Sequence, residues 1–404
     1  MKQNARQAAR EAFRTKVLLD TNQLLQKAEN PPEVIQTTAR QINTLLNQII
    51  DEYHLTGANE GLMTSLLSVG MMLAIVVCPL IQGRIKKLTM IFVSGIIMTV
   101  AMAVSGMAGK AVLFGIASVV LGIGWGLFDT YANSSIIDLY PDDNSGPMGL
   151  FHGFYGVGSL LMPVIIQALL FVFIWRANYY LVAAIMLIVM VIFYIVKRKI
   201  DKNGGLQETE EKKLRLSDVG HYLKDKRNAL MIISGIMLTM AQAGFISWIV
   251  RYMTLEHDAQ SLGTLCITIY WVCITVNRFI MPHIKIDKHI LLIVGCILFC
   301  AAVLAGNIVH DPIFMCVMTG LAGFASGHCV PVSLIIASEG YHGNTTLTTS
   351  VMQFAFGIGR VVAPILVALV KTEVSMTAGM FLPAAAALIT TILFMILKAV
   401  KAKG

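Results

Sequence analysis

Long apolar stretches separated by short polar loops make up most of the chain after residue 56. Their predicted bounds, each with an error of a few residues, are 61–82, 89–107, 112–137, 149–173, 178–196, 229–252, 262–281, 290–309, 313–337, 346–370 and 375–397. Since an α-helix needs about 20 apolar residues to cross a bilayer, the pattern predicts an all-α membrane protein with eleven spans. The composition agrees, because 13% of the residues are charged, whereas soluble domains have about a quarter.

The longest polar segment, 197–228, divides the spans into two groups. It is rich in Lys and Arg and contains Gly204-Gly205, which predicts a solvated linker with room for a short amphipathic helix. We therefore predict an N-terminal helical bundle over 57–196 and a C-terminal helical bundle over 229–404.

A Gly-x-Gly-x-x-x-x-Pro pattern occurs in each bundle, in His152–Pro163 and in Gln353–Pro364. The aligned pairs are Gly156 with Gly357, Gly158 with Gly359, and Pro163 with Pro364. Such a recurrence predicts two bundles related by a pseudo-twofold repeat, which is the plan of many secondary transporters. The glycines are predicted to pack helices closely and the prolines to bend them.

Residues 1–56 do not continue this repeat. They are polar, and Pro31-Pro32 divides two segments, about 2–30 and 33–54, that each carry an apolar stripe at helical spacing. Six spans follow the linker and five precede it, so in a plan of twelve helices this polar, amphipathic N-terminal segment replaces the first helix. Two interpretations stay open. Either the segment packs as an unusual polar substitute, or the N-terminus is truncated, mis-started or engineered.

The loop charges indicate an orientation. If the spans alternate, nearly all loop cations lie on the side of the linker and the C-terminus, whereas the other side has few cations and the acidic Glu256-His-Asp258. The positive-inside rule then places the linker 197–228 and the C-terminus in the cytoplasm, with the chain multi-pass in the cytoplasmic (inner) membrane. The same alternation puts the basic N-terminus outside, against that rule.

Composition also narrows the chemistry. The net charge of +8 resides in loops that flank apolar spans, so we read it as a topology signal and expect no nucleic-acid partner. The seven cysteines lie in apolar spans. We expect them to be free buried thiols, and we expect neither a metal site nor a disulfide framework. Without a Walker-type loop, His-Glu-x-x-His or Gly-x-Ser-x-Gly, we expect no ATPase, no enzyme and no cofactor.

Asp129 is the only carboxylate well inside a predicted span. A charged side chain at that depth costs about 2.5–3.5 kcal/mol, so intramembrane acids mark proton or substrate pathways. We predict that Asp129 is a proton-coupling residue that binds a proton from one side and releases it to the other. The alternative is a carboxylate that is only hydrogen-bonded near a helix end.

Eight polar or aromatic side chains inside the spans are predicted substrate contacts: Asn133, His152, Tyr155, Gln242, Trp248, His328, Gln353 and Arg360. Asn133 lies one helical turn from Asp129 on the same face. Arg360, in mid-span, requires a partner, which is Asp129, an anionic substrate group or a backbone carbonyl. Structural hydrogen bonds are the alternative for the others. Gly327 and Pro331 next to His328 predict a broken helix, and Arg278 is predicted to be an interfacial anchor near a span end.

These residues resemble the major facilitator superfamily and, within it, the fucose/galactose:proton symporter type. Asp129-Thr-Tyr-Ala-Asn133 resembles that type's Glu-Thr-Ala-Ala-Asn run. Ala241-Gln242 with Arg251-Tyr252 is similar to its Ala-Gln and Arg-Tyr, and Asn277-Arg278-Phe279 to its Gly-Arg-Phe. The loop Cys78–Lys87 keeps the superfamily's basic end but lacks its Asp, and the type's first helix, which supplies a second carboxylate, has no counterpart.

The resemblance implies a secondary active transporter that works by alternating access, with proton-coupled symport of a small polar solute such as a sugar. Its partners would be that solute, the proton and the lipid bilayer, and we expect a monomer. A drug:proton antiporter is one alternative. A non-transporting or degenerate membrane protein that lacks the first helix is another.

Overall fold

The computed structural model describes residues 49–50, 52–55, 58–141, 143–170, 174–202, 213, 216–339, 341 and 344–401. The predictions for residues 1–48 lie outside this described part. The helices are α1 (Ala58–Ile81), α2 (Lys87–Met107), α3 (Ala111–Leu139), α4 (Ser145–Leu170), α5 (Arg176–Lys202), α6 (Leu216–Lys224), α7 (Lys226–His257), α8 (Gln260–Ile280), α9 (Lys288–Val309), α10 (Pro312–Ser326), α11 (Cys329–Ser338), α12 (Thr345–Glu373) and α13 (Met376–Lys401), with a 3-10 turn at Met281–His283.

The described part of the chain is helical and contains no strand, which confirms the all-α prediction. Within it, nine helical stretches are long and apolar enough to cross a membrane, and α10 and α11 together form one of them. The helix break predicted at Gly327 separates α10 from α11. The count of eleven spans and the replacement of the first helix remain predictions.

Aspartates begin three of the helices. The side chains of Asp225, Asp287 and Asp311 accept hydrogen bonds from backbone N–H groups in the first turns of α7, α9 and α10. These caps satisfy N–H groups that have no partner inside the helix. The linker also holds the short helix α6, as the sequence allowed, and α6 buries Tyr222 against Tyr341.

Glycines set how closely the helices approach one another. A Cβ at Gly122 would lie 2.1 Å from the backbone oxygen of Leu67, so α3 and α1 are in backbone contact. A Cβ at Gly359 would lie 2.3 Å from the Ile236 oxygen of α7. Gly156 and Gly357 instead face the opposite bundle, at Thr275 and Met72 respectively. Gly156, Gly357 and Gly359 therefore have the predicted packing role, whereas Gly158 does not, because a Cβ there would meet nothing within 4 Å.

We expect Gly359→Ala to destabilise the C-terminal bundle by about 1–3 kcal/mol, the usual effect of overpacking. The new methyl group would have to displace the backbone of α7 at Ile236. Val361→Ala is the control in the same helix, since Val361 is 58% exposed. Thermal unfolding of the purified variants measures both effects, and equal shifts for the two would contradict the close contact.

A group of hydrogen bonds joins the two bundles on one side of the molecule, in addition to the contacts of Gly156 and Gly357 near the middle of their helices. We call this side, which carries α6 and the loop between α1 and α2, the linker side, and the opposite one the far side. There the Gln82 amide donates to Asn344 Oδ1 at 3.1 Å, and Gln82 Oε1 accepts the Leu347 N–H at 2.9 Å. A side chain of the N-terminal bundle therefore caps α12 of the C-terminal bundle.

Two lysines extend this contact between the bundles. Lys87 donates to Thr345 Oγ1 at 2.6 Å and pairs with Asp138 inside its own bundle. Lys288 donates to Asn144 Oδ1 at 3.0 Å. We call the bonds that Gln82, Lys87 and Lys288 make across the bundles the linker-side latch.

On the far side, residues 52–55 lie against the ends of the N-terminal bundle. Tyr53 donates to the Ala108 carbonyl at 2.8 Å, and the Glu52 carboxylate accepts from Trp175 and Arg176. The hydrogen bond from Arg176 holds the pKa of the Glu52 carboxyl below its usual value. The chain thus reaches α1 from the far side.

Candidate proton and substrate site

Asp129 lies on α3 at the contact between the two bundles. Its Oδ1 accepts a hydrogen bond from Asn133 Nδ2 at 2.9 Å, and its Oδ2 accepts one from the side-chain amide of Gln353 on α12. One carboxylate therefore joins a helix of each bundle. Both neighbouring groups are donors, so they stabilise a carboxylate and leave each oxygen a further lone pair for a proton or a ligand.

His152 continues this line of polar groups. Its Nε2 lies 3.0 Å from Asn133 Oδ1. Because the Asn133 amide nitrogen donates to Asp129, its oxygen must accept, and we assign the hydrogen to Nε2 of the His152 ring. Gln353, Asp129, Asn133 and His152 therefore form one continuous hydrogen-bonded set, which we call the central polar chain.

Arg278 has a different place in the structure from the one that the sequence predicted. It is only 9% exposed, and it donates to the Gly327 carbonyl at 3.0 Å and to the His152 carbonyl at 3.1 Å. The prediction that Arg278 is an interfacial anchor is therefore wrong. The reason is the break between α10 and α11, which presents the Gly327 carbonyl to the interior. The sequence predicted the helix break, but it did not predict that α8, which carries Arg278, packs against it.

Arg360 lies on the same face of α12 as Gln353, about two turns closer to the far side. It is exposed, and it lies near enough to Asp129 and His152 to interact with both electrostatically. No ion pair within the described residues engages it. Because Pro364 has no N–H, the Arg360 carbonyl also lacks its intrahelical donor. Arg360 thus offers a cationic donor to the space between the bundles.

Two aromatic side chains of the N-terminal bundle lie near the central polar chain. The rings of Trp125 on α3 and Tyr155 on α4 are 6.5 Å apart, and Tyr155 is 48% exposed. Trp125 is one turn from Asp129 on the same face of α3. The central polar chain, Arg360 and these two rings therefore border one region, which we call the central site.

Three predicted contacts lie apart from the central polar chain. The Gln242 amide is 3.4 Å from the Ser326 carbonyl inside the C-terminal bundle. The Trp248 indole N–H donates to the Pro364 carbonyl at 3.1 Å. The structure gives each of these groups a protein partner, and their roles as substrate contacts remain predictions.

His328 is the third of them, and it sits at the helix break. Its Nδ1 lies 3.2 Å from Asn277 Oδ1 and its Nε2 3.0 Å from the Leu291 carbonyl. A neutral ring cannot donate to both oxygens, and Asn277 Nδ2 has no partner among the described residues. If the Asn277 amide is turned, its nitrogen donates to His328 Nδ1, and His328 Nε2 donates to the Leu291 carbonyl. Both ring nitrogens and the Asn277 amide nitrogen then have a hydrogen-bond partner. His328 then holds the break together as a neutral ring.

No cluster of His, Cys, Asp or Glu suited to a metal ion occurs among the described residues. The site is instead an intramembrane acid, two amides, an imidazole and a guanidinium between two helical bundles. That arrangement is typical of secondary transporters, whose sites lie near the bilayer midplane between repeats.

Comparison with known proteins identifies the family. The sequence pattern of the Major Facilitator Superfamily matches residues 34–289. The chain belongs to this superfamily, whose members are membrane-embedded transporters of small molecules rather than enzymes. The resemblance to this superfamily that the sequence motifs indicated is thereby confirmed. The protein is a multi-pass membrane protein.

Three relatives illustrate the likeness. The glucose/mannose transporter GlcP of Bacillus subtilis (strain 168) is 20% identical over 67% of this chain and 68% of its own. A crystal structure of the transporter FucP in the outward conformation has a TM-score of 0.76 at 16% identity, covering 87% of this chain and 93% of FucP. The human organic anion transporter MFSD10 has a TM-score of 0.67 at 14% identity, covering 86% and 88%.

Proposed function

We propose that this protein is a secondary active transporter that couples the uptake of a small polar solute, a sugar, to the movement of a proton. The observation that carries the proposal is the Asp129 carboxylate, bonded to Asn133 in one bundle and to Gln353 in the other. Any rocking of the bundles must change the surroundings of this acid. Two similar proteins support it, since GlcP is a glucose/mannose transporter and FucP of E. coli is a fucose:proton symporter.

The proposed cycle begins with the linker side closed by the latch. Asp129 takes up a proton from the far side, and its new O–H donates to a hydroxyl of the incoming solute. The bundles then rock, the latch bonds break and the linker side opens. Asp129 releases its proton to that side, and the loss of the O–H donor weakens the solute's binding.

A sugar requires several donors and acceptors together with apolar surface for its ring. The central site combines both, because Arg360 and the central polar chain supply hydrogen bonds and Trp125 and Tyr155 supply rings. We propose Asn133, His152, Tyr155, Gln353 and Arg360 as the solute contacts in this region. Gln242, Trp248 and His328 are proposed contacts from the C-terminal bundle. The drug:proton antiporter is disfavoured, because Arg360 would repel lipophilic cations.

Arg360 favours a second candidate substrate, which is a sugar acid. When Asp129 is protonated, the guanidinium has no neighbouring anion in the central site. A substrate carboxylate would then complete the charge balance, whereas an ionised Asp129 would compete with it. Proton binding and anion binding would reinforce each other through this one cation. The description of MFSD10 as an organic anion transporter is consistent with this candidate.

Uptake of matched neutral and acidic sugars under an inward proton gradient tests both candidates. The two matched pairs of compounds are glucose with glucuronate and galactose with galacturonate. Uptake of each compound is measured in proteoliposomes that contain the wild-type protein, the Arg360→Gln variant or the control variant Arg251→Gln. Arg251 is an exposed cation on the far-side end of α7. We expect the gradient to accelerate uptake of at least one compound, and Arg360→Gln to lower acid uptake about tenfold or more, since a charge-assisted hydrogen bond contributes about 1.5–3 kcal/mol. A panel in which no compound responds to the gradient would overturn the proposed function, and acid uptake unaffected by Arg360→Gln would remove only the second candidate.

A further inference from the structure

A separate cavity of about 350 Å³ opens on the linker side between the two bundles. Its walls include Met148 at the start of α4 in one bundle, and Leu291 of α9 and Val332 of α11 in the other. Arg278 lines it as well. The cavity therefore lies next to the central polar chain, on its linker side, and is distinct from the central site.

The charge in this cavity is predominantly positive. Arg278, Lys285 and Lys288 line it, together with Asp143, which supplies the one carboxylate among the described lining residues. Arg278 and Lys288 already donate to protein oxygens. Lys285 is exposed, and no hydrogen bond or ion pair within the described residues engages its ammonium group. The cavity thus carries an excess of positive charge and one cation available to an anion.

Apolar surface surrounds these cations. Met148, Leu291 and Val332 line the cavity, although each is at most 9% exposed, so the accessible apolar surface lies mainly at its rim. At the rim, Ile284 and Ile286 flank Lys285 in the loop after α8 and are 37% and 48% exposed. A loop that exposes isoleucines beside a lysine suits the boundary between acyl chains and headgroups, where apolar side chains bury and the ammonium reaches phosphate. An occupant that matches both features is an anionic amphiphile.

We propose that this cavity binds the phosphate headgroup of an anionic phospholipid, with Lys285 as the principal phosphate contact. Basic pockets between transmembrane helices are suited to such headgroups. A soluble phosphate ester shares the headgroup chemistry but would leave the exposed side chains of Ile284 and Ile286 at the rim uncovered. The acyl chains of the lipid would cover these isoleucines.

Bound lipid would also favour one conformation. The walls belong to both bundles, so the cavity exists in this form only while the linker side is closed. A ligand that binds one of two states shifts the equilibrium towards it. The bound lipid therefore stabilises the closed linker side, in which the linker-side latch is formed, and slows its opening. This inference does not depend on the identity of the transported solute or on proton coupling.

The test measures thermal stability of the full chain in neutral detergent with added phosphatidylglycerol, phosphatidylcholine, glycerol 3-phosphate or inorganic phosphate. The variants are Lys285→Gln and the control Arg84→Gln, which removes an exposed linker-side cation outside the cavity. We expect phosphatidylglycerol alone to stabilise wild type and Arg84→Gln. Its apparent affinity for Lys285→Gln should be about fivefold weaker, since a cation near an anionic lipid contributes about 1 kcal/mol.

Hydrogen exchange provides a second measurement. Phosphatidylglycerol should slow exchange of the first amides of α12, including that of Leu347, which the latch protects. Equal weakening by Lys285→Gln and Arg84→Gln would indicate general surface attraction and overturn the proposal. Equal stabilisation by glycerol 3-phosphate would assign the cavity to a soluble ester, and no response to any of the four compounds would remove the site.

Discussion

Asp129→Asn is expected to abolish accumulation of the solute driven by a proton gradient while leaving exchange across the membrane at equal pH within several-fold of wild type. An asparagine at this position keeps the shape of the side chain. Its oxygen can accept from Asn133, and its NH2 group can donate to Gln353 once the Gln353 amide is turned. It cannot carry a proton between the two sides. The coupling is therefore lost but the site is largely retained, which separates a proton-carrying role from a structural one.

The measurement uses proteoliposomes loaded for two assays, uptake against an imposed pH gradient and exchange of labelled solute without one. Asp129→Glu is the matched control, since it keeps the carboxylate and restores the residue of the resembling symporter motif. We expect this variant to retain gradient-driven accumulation. Accumulation that survives unchanged in Asp129→Asn would show that another group carries the proton.

Asp138→Asn is expected to destabilise the N-terminal bundle by about 3–5 kcal/mol, the usual effect of removing one partner of a buried ion pair. Asp138 pairs with Lys87, and the two side chains are 3% and 4% exposed. Removing the carboxylate takes this anion away from a buried ammonium group. The variant should unfold at a markedly lower temperature and reach the membrane in smaller amounts.

Two comparisons interpret that result. Asp201→Asn breaks the more exposed pair with Lys197, which should change stability by less than about 1 kcal/mol. The double variant Lys87→Met with Asp138→Leu removes both charges, and buried pairs replaced in this way are often as stable as the original. If Asp138→Asn and Asp201→Asn shift unfolding equally, the buried pair does not stabilise the bundle.

Much of the fold could be predicted from the sequence because its dominant signal is local. Apolar length gave the helices, and Gly327 with Pro331 gave the break between α10 and α11. The pairing of Asp129 with Asn133 could be predicted as well, because residues four apart share a helix face. Each of these features depends on neighbours within a few turns of the same helix.

Contacts between distant helices could not be predicted in the same way. Gln353 was expected near the solute from its place in the repeat, yet its bond to Asp129 required the bundles to be assembled. Gln82, which caps α12, gave no signal because its partners lie in the other bundle. Arg278 was misjudged for the same reason. Its position near a span end suggested the interface, whereas its partners Gly327 and His152 lie on other helices.

The linker-side latch has a consequence for the speed of the cycle. Its members are amides, hydroxyls and ammonium groups, such as Gln82 on Leu347 and Lys87 on Thr345. Each neutral bond contributes about 0.5–1.5 kcal/mol net and each bond from an ammonium group about 1.5–3 kcal/mol, because water replaces the lost partner when the side opens. The linker-side latch can therefore break and re-form through thermal motion, on the microsecond-to-millisecond scale of domain motions. A tightly packed apolar seal in the same place would hold the protein in one state.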